Sequence, residues 1–241
     1  NSQPKEKTSQ LSIVTSFYPL AEFTRKITGD KAIISNLVPA GTEPHDFEPS
    51  PQDIATLTSS DLFIFNGVGF EKWINKVQSD LQANNVPSLN SSQNIQLLTI
   101  ENNSESNTSY DPHIWLDPVF AQTQVTNIKN SLVDIDPQNQ EFYENNANSY
   151  IDQLKSLNAE YQQSLSSCSK NTVVTSHNAF SYLAKRYNFN TVSISGLSPD
   201  EEPSAQKLAE ISQFAKSNQI KYIFFDSLVS PKLSDTIATE V

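Results

Sequence analysis

The sequence predicts an α/β fold of two Rossmann-like lobes, each built on a parallel sheet, joined by a single long helix. Three observations carry this reading. Short β-branched runs alternate with amphipathic helical stretches from Leu11 to Ile135. From Pro137 to Ser167 a helical pattern runs without interruption, and after it the alternation returns. Strands that alternate with helices form parallel sheets covered on both faces.

Residues 1–10, "NSQPKEKTSQ", are polar and short and read as a flexible tail. A strand follows at Ser12–Ser16, then a helix with Leu20, Phe23 and Ile27 at helical spacing. "KAIISNLVPAG" is a second strand closed by Pro39–Gly41. Ser50, Pro51 and Asp53 are an N-cap, a first-turn proline and a first-turn acid, so a helix begins there. "DLFIFNG" is a third strand stopped by Asn66–Gly67, and "FEKWINKVQSDLQANN" a helix with Phe70, Trp73, Ile74, Val77 and Leu81 on one face. "NIQLLTI" is the candidate fourth strand, "ENNSESNTSYD" a polar loop without periodicity, and "DPVFAQTQVTNIKNSLVDI" a helix.

The long segment 137–167 places Tyr143, Ala147, Tyr150, Ile151, Leu154, Leu157, Tyr161 and Leu165 at steps of 3 and 4. At ~1.5 Å per residue it is roughly 45 Å long, the length of a strut between two lobes. The domains expected are therefore a first lobe at 11–136, the linking helix at 137–167 and a second lobe at 168–241. In the second lobe "NTVVTS", "NTVSIS" and "KYIFFDS" read as strands and the segments between them as helices. "PKLSDTIATEV" is a helical pattern with no stop signal, so this lobe is expected to be incomplete and the chain to continue past Val241.

The formal net charge of −11 argues against nucleic acid as a partner, because a phosphate backbone needs a basic footprint. The single cysteine, Cys168, excludes an internal disulfide and a thiolate-rich metal site. No run approaches the roughly 18 apolar residues of a membrane span.

The chemistry lies in three histidines, the only ones in the chain. His45 ("EPHDFEPSP") follows the second strand, His113 ("DPHIWLDP") ends the polar loop, and His177 ("VVTSHNAF") follows the first strand of the second lobe. A lone histidine is more often a surface or core residue than a ligand. Here all three fall on connections, where α/β sheets build their sites. Two stand beside prolines, which stiffen the loop and reduce the entropy lost on fixing a ring. Three imidazoles converging in the interlobe cleft make a transition-metal site. Neutral imidazoles do not offset a dication, so a carboxylate fourth ligand is expected. The helix expected directly after His177 would point its positive end at the cation, and "PDEEP" (199–203) would supply an acidic rim.

The stretches "VPAGTEPHDFEPSPQDIATLTSSDLFIFNG", "DPHIWLDP", "VTSHNAFSYLAKRY", "ISGLSPDEEPS" and "YIFFDSLVSPKL" resemble the zinc-type substrate-binding proteins of bacterial metal-uptake ABC transporters, the cluster A-I metal-binding family. The resemblance runs from about Leu11 to the last residue. It implies metal bound between two α/β lobes, with His45, His113 and His177 as ligands. It further implies Zn2+ as the cargo (Mn2+ as the alternative), a membrane permease as partner, and a periplasmic protein or cell-surface lipoprotein, here expected to be a monomer. Relatives that favour manganese or iron carry a glutamate where this chain has His177. The fourth carboxylate ligand is expected beyond Val241, and the histidine-rich loop of many zinc members is replaced by "ENNSESNTSYD". Asp46, Asp111 and Asp117 are candidate partners for the ring N–H groups, and Asp226 is a further candidate at a strand end. A metal-dependent adhesin would present the same cleft. A zinc hydrolase is disfavoured, since no H-E-x-x-H or H-x-H pair and no general base stands beside the three histidines.

Overall fold

The computed structural model describes residues 10–100, 109–228 and 232–240. Strand β1 (Leu11–Thr15) is followed by helix α1 (Tyr18–Thr28) and strand β2 (Ala32–Asn36). Helix α2 (Pro51–Thr58) starts on a full capping box: the Ser50 hydroxyl accepts from Asp53 N and the Asp53 carboxylate accepts from Ser50 N. Strand β3 (Leu62–Phe65), helix α3 (Ile74–Ala83) and strand β4 (Ser88–Asn90) complete the first sheet. Its order is β2-β1-β3-β4, all parallel.

The fourth strand is therefore not the "NIQLLTI" segment. Ser88–Asn90 is three residues long, too short to display a period. Thr99–Ile100 (β5) instead pairs antiparallel with Ser109–Tyr110 (β6) in a separate hairpin. The apolar residues that suggested a strand, Ile95, Leu97 and Leu98, pack with Ile114 and Tyr182. The polar loop predicted at 101–111 lies outside the described residues at 101–108, as does the tail at 1–9.

Helix α4 (Pro118–Ile135) leads through a 3-10 turn at Pro137–Asn139 into the long helix α5 (Gln140–Ser166). The turn takes the first three residues of the predicted helix, and Tyr143 secures the junction by donating its hydroxyl to Asp136 at 2.6 Å. The first half of α5 buries Tyr143, Ala147 and Leu154 in the core formed by α1, α4 and the first sheet. Its second half reaches the other lobe, where Tyr161 packs on Tyr187 and Asn158 accepts from the Tyr187 hydroxyl at 3.0 Å.

The second lobe holds β7 (Thr172–Thr175), α6 (Ser181–Tyr187), β8 (Asn190–Ser193), α7 (Ala205–Ser217), β9 (Ile223–Phe224) and α8 (Lys232–Glu240). Its parallel sheet has the order β8-β7-β9 around a core of Val174, Ile194, Ile211 and Ile237. Helix α6 begins at Ser181, later than the sequence pattern indicates, because residues 176–180 are used for a bend. His177 thus stands four residues ahead of a seven-residue helix, and the field of a helix N-terminus, which fades within one turn, does not act on it as expected.

Candidate metal centre

Each histidine is held by its own local device. His45 sits in a 3-10 turn at Pro44–Asp46, where the Glu43 side chain accepts from His45 N at 3.1 Å and the Phe70 ring lies edge-on at 4.9 Å. His113 precedes a second 3-10 turn, Ile114–Leu116, and Asp111 Oδ1 accepts both its backbone N (3.0 Å) and its ring Nδ1 (2.8 Å). His177 follows β7, and its Nδ1 lies 2.8 Å from Asp226 Oδ2 at the end of β9. The Ser176 hydroxyl donates to the same oxygen.

These devices bring the three rings to one place. Ring centroids are 5.0 Å apart for His45–His113, 5.7 Å for His45–His177 and 5.3 Å for His113–His177. One nitrogen from each lies within 4.8 Å of the others. Phe17, Phe70 and Trp115 form an aromatic wall behind His45 and His113. Leu197 and Glu201 of the second lobe border the same cleft as His45 and Pro112.

The protonation pattern follows from these partners. An ionised carboxylate only accepts, so Nδ1 of His113 and Nδ1 of His177 carry hydrogens there, which makes Nε2 of each ring the nitrogen that a metal would use. His113 Nε2 and His45 Nε2 face each other at 3.2 Å. Burial pushes His45 down to about 3, helped by repulsion from the other two rings. Burial also lowers His113, although Asp111 opposes it. The hydrogen bond from His177 holds Asp226 below the usual carboxylate range against the effect of burial. Burial thus favours the neutral form of His45 and His113, while Asp226 is held anionic behind His177. A neutral His45 ring can turn either a lone pair or an N–H toward His113 Nε2, and the tautomer that turns the lone pair makes both nitrogens metal donors. Zinc with nitrogen at ~2.05 Å in a tetrahedron spaces its ligands by about 3.3 Å. The donor set fits zinc in type, and the His45–His113 distance fits it in spacing.

Two of the four predicted aspartates face ring nitrogens, Asp111 and Asp226. The other two do not. Asp46 pairs with Lys72 at 3.1 Å and shares a hydrogen bond with Asp200, which is raised while Asp46 is lowered. Its adjacency to His45 in sequence sends the carboxylate outward, where the 199–203 loop meets it. Asp117 caps α4, accepting from Val119 N at 2.8 Å, and binds Arg186 at 2.5 and 2.6 Å. Sequence reasoning missed a buried support under the site. Glu71, raised by burial, accepts from Ser16 Oγ, Asn66 N and Gly67 N at 2.6, 2.7 and 2.9 Å. Asn66 in turn donates to the Pro112 carbonyl at 2.9 Å. The Asn66–Gly67 pair was visible as a strand stop, but its partner lies 46 residues away.

The chain matches the model of the family described as zinc-uptake complex component A, periplasmic (ZnuA), over residues 13–241. It is 39% identical to the high-affinity zinc uptake system protein ZnuA of Bacillus subtilis (strain 168), over 98% of this chain and 76% of that protein. It is 38% identical to the zinc-binding lipoprotein AdcA of Streptococcus pneumoniae (strain R6) over 99% of this chain, but it spans only 50% of that lipoprotein's length. Among solved structures, the Zn(II)-bound ZnuA-like domain of S. pneumoniae AdcA superimposes with a TM-score of 0.82 at 40% identity, covering 96% of this chain and 84% of that one. The two-lobed α/β architecture, the three converging imidazoles and this match along the chain have one reading: the protein belongs to the ZnuA family of periplasmic zinc-uptake components.

Proposed function

We propose that this protein captures Zn2+ outside the cytoplasm and delivers it to the membrane permease of an ABC transporter. His45, His113 and His177 are the metal ligands in this reading, with Asp111 and Asp226 orienting two of the rings. The lobes at 11–136 and 168–241 flank the site, the helix at 137–167 links them, and the protein works as a monomer without nucleic acid. The observation that carries the proposal is the convergence of three imidazoles, one nitrogen of each within 4.8 Å of the others and His113 Nε2 at 3.2 Å from His45 Nε2. Carboxylates behind His113 and His177 supply charge against the dication without occupying ligand positions. The extracytoplasmic location rests on the family's description and on the lipoprotein relative. No described helix is long and apolar enough to cross a membrane.

Calorimetric titration tests this directly. The protein should take up one zinc per chain, and His177→Ala should bind more than about 100-fold more weakly, since even outer partners of a metal ligand are worth 10–100-fold. Equal affinities for the variant and the unaltered protein would overturn the ligand assignment. Tighter uptake of manganese than of zinc would overturn the assignment of the cargo.

A further inference from the structure

Helix α6 crosses from the second lobe onto the first by one face. Tyr182 and Arg186, one turn apart on it, both reach first-lobe partners. Arg186 binds Asp117, the cap of α4. Tyr182 inserts its ring between Ile95, Ile114 and Phe120. Its hydroxyl accepts from Leu98 N at 3.0 Å and donates to the Asp111 carbonyl at 2.7 Å.

Leu98 and Asp111 adjoin the antiparallel pair β5–β6, and the Asp111 N–H itself donates to the Leu98 carbonyl at 3.0 Å. The hydroxyl bridges Leu98 and Asp111 from the opposite lobe. A packing role alone asks for phenylalanine here, because a buried hydroxyl costs free energy unless it is bonded. Both of its hydrogen-bond capacities are met by first-lobe backbone, and burial pushes its pKa up to about 12, so it stays a donor.

The consequence reaches His113. Asp111 holds this histidine through Oδ1, and its buried Oδ2 has no hydrogen-bond partner among the described residues. The orientation of the carboxylate therefore depends on the Asp111 backbone. That backbone and the next carbonyl are gripped from two sides: Tyr182 holds Asp111 O from the second lobe, and Asn66 holds Pro112 O from the first. From this we infer that Tyr182 is a positioning residue for His113, acting as a latch between the lobes. The inference rests on the reading of His113 as a zinc ligand.

The test compares Tyr182→Phe with Tyr187→Phe in the full chain. Both lose one hydroxyl group, which makes two hydrogen bonds at Tyr182 and one at Tyr187, the latter to Asn158, away from the metal loops. Zinc affinity is read by chelator competition and ligand geometry by the visible absorption of bound Co2+. Tyr182→Phe should weaken zinc about 10-fold, as outer partners of metal ligands do, and alter the Co2+ bands. Tyr187→Phe should do neither. Zinc affinity and Co2+ bands of Tyr182→Phe equal to those of the unaltered protein would overturn the latch, as would equal changes in the two variants. Failure of the unaltered protein to bind zinc would overturn the ligand reading itself. A measurement without any variant adds a second arm: amide hydrogen exchange in the metal-free protein should show Leu98 and Asp111 as protected as the strands, and exchange at the rate of an open loop would overturn the latch.

Discussion

His45 is 9% exposed and faces two other imidazoles, and burial first, then repulsion, bring its pKa to about 3. An unfolded chain protonates this ring near pH 6.5. Between the two values the unfolded state binds more protons, so stability falls as pH drops from about 6.5 toward 3, by up to about 1.4 kcal/mol per pH unit for this group, and levels off below. Above pH 6.5 the group contributes no slope. Metal-free protein should thus lose urea resistance between pH 7 and 4.5, and His45→Gln should show a shallower loss over that window. Identical pH slopes for the two would contradict the buried neutral ring. The same burial keeps His45 free of a competing proton well below pH 6.5, so its lone pair stays available for metal in mildly acid surroundings. The identity of the three histidines was legible because each is chemically conspicuous on a loop. Their partners were less so: Asp46 adjoins His45 in sequence yet turns to Lys72 and Asp200.

Between β3 and α3 the chain makes the turn that supports His113 from below. Gly67 there has φ +81°, and a Cβ at this position would run into the Asn90 side chain. Gly69 has a similar φ of +77° but nothing within 4 Å. Gly67→Ala should therefore cost at least about 2 kcal/mol, strain and steric conflict together, whereas Gly69→Ala should cost about 1 kcal/mol from strain alone. Chemical denaturation of both variants measures the difference, and equal costs would show that the Asn90 contact is unimportant. Since the turn carries Asn66, Gly67→Ala should also weaken zinc binding. At this scale the long, periodic elements were readable in the sequence. The three-residue strand β4 and the late start of α6 were not, because neighbouring strands and a bend, rather than local propensity, define them.

Two structures span the lobes: α5, a continuous helix of 27 residues, and the docked face of α6. Hinged binding proteins close through loops that absorb large backbone rotations. A helix cannot bend that far without breaking its i→i−4 hydrogen bonds. Metal loading should accordingly reorganise the loops that carry the histidines and leave the lobes in place. Small-angle scattering curves of the metal-free and zinc-loaded protein should superimpose. A marked contraction on loading would show that α5 and α6 do not fix the lobes.

The sequence alone determined the alternation of strands and helices, the unbroken central helix and the placement of three imidazoles on loops. These follow from local periodicity and from residue types that few other roles require. Only the tertiary structure decided what stands behind the rings. Asp226 meets His177 across 49 residues, Arg186 reaches Asp117 across 69, and Tyr182 reaches the Asp111 carbonyl across 71. Such pairings depend on how α6 and β9 pack against their neighbours. A carboxylate or hydroxyl bonds whichever group that packing brings within 3 Å, and no spacing along the chain encodes the choice.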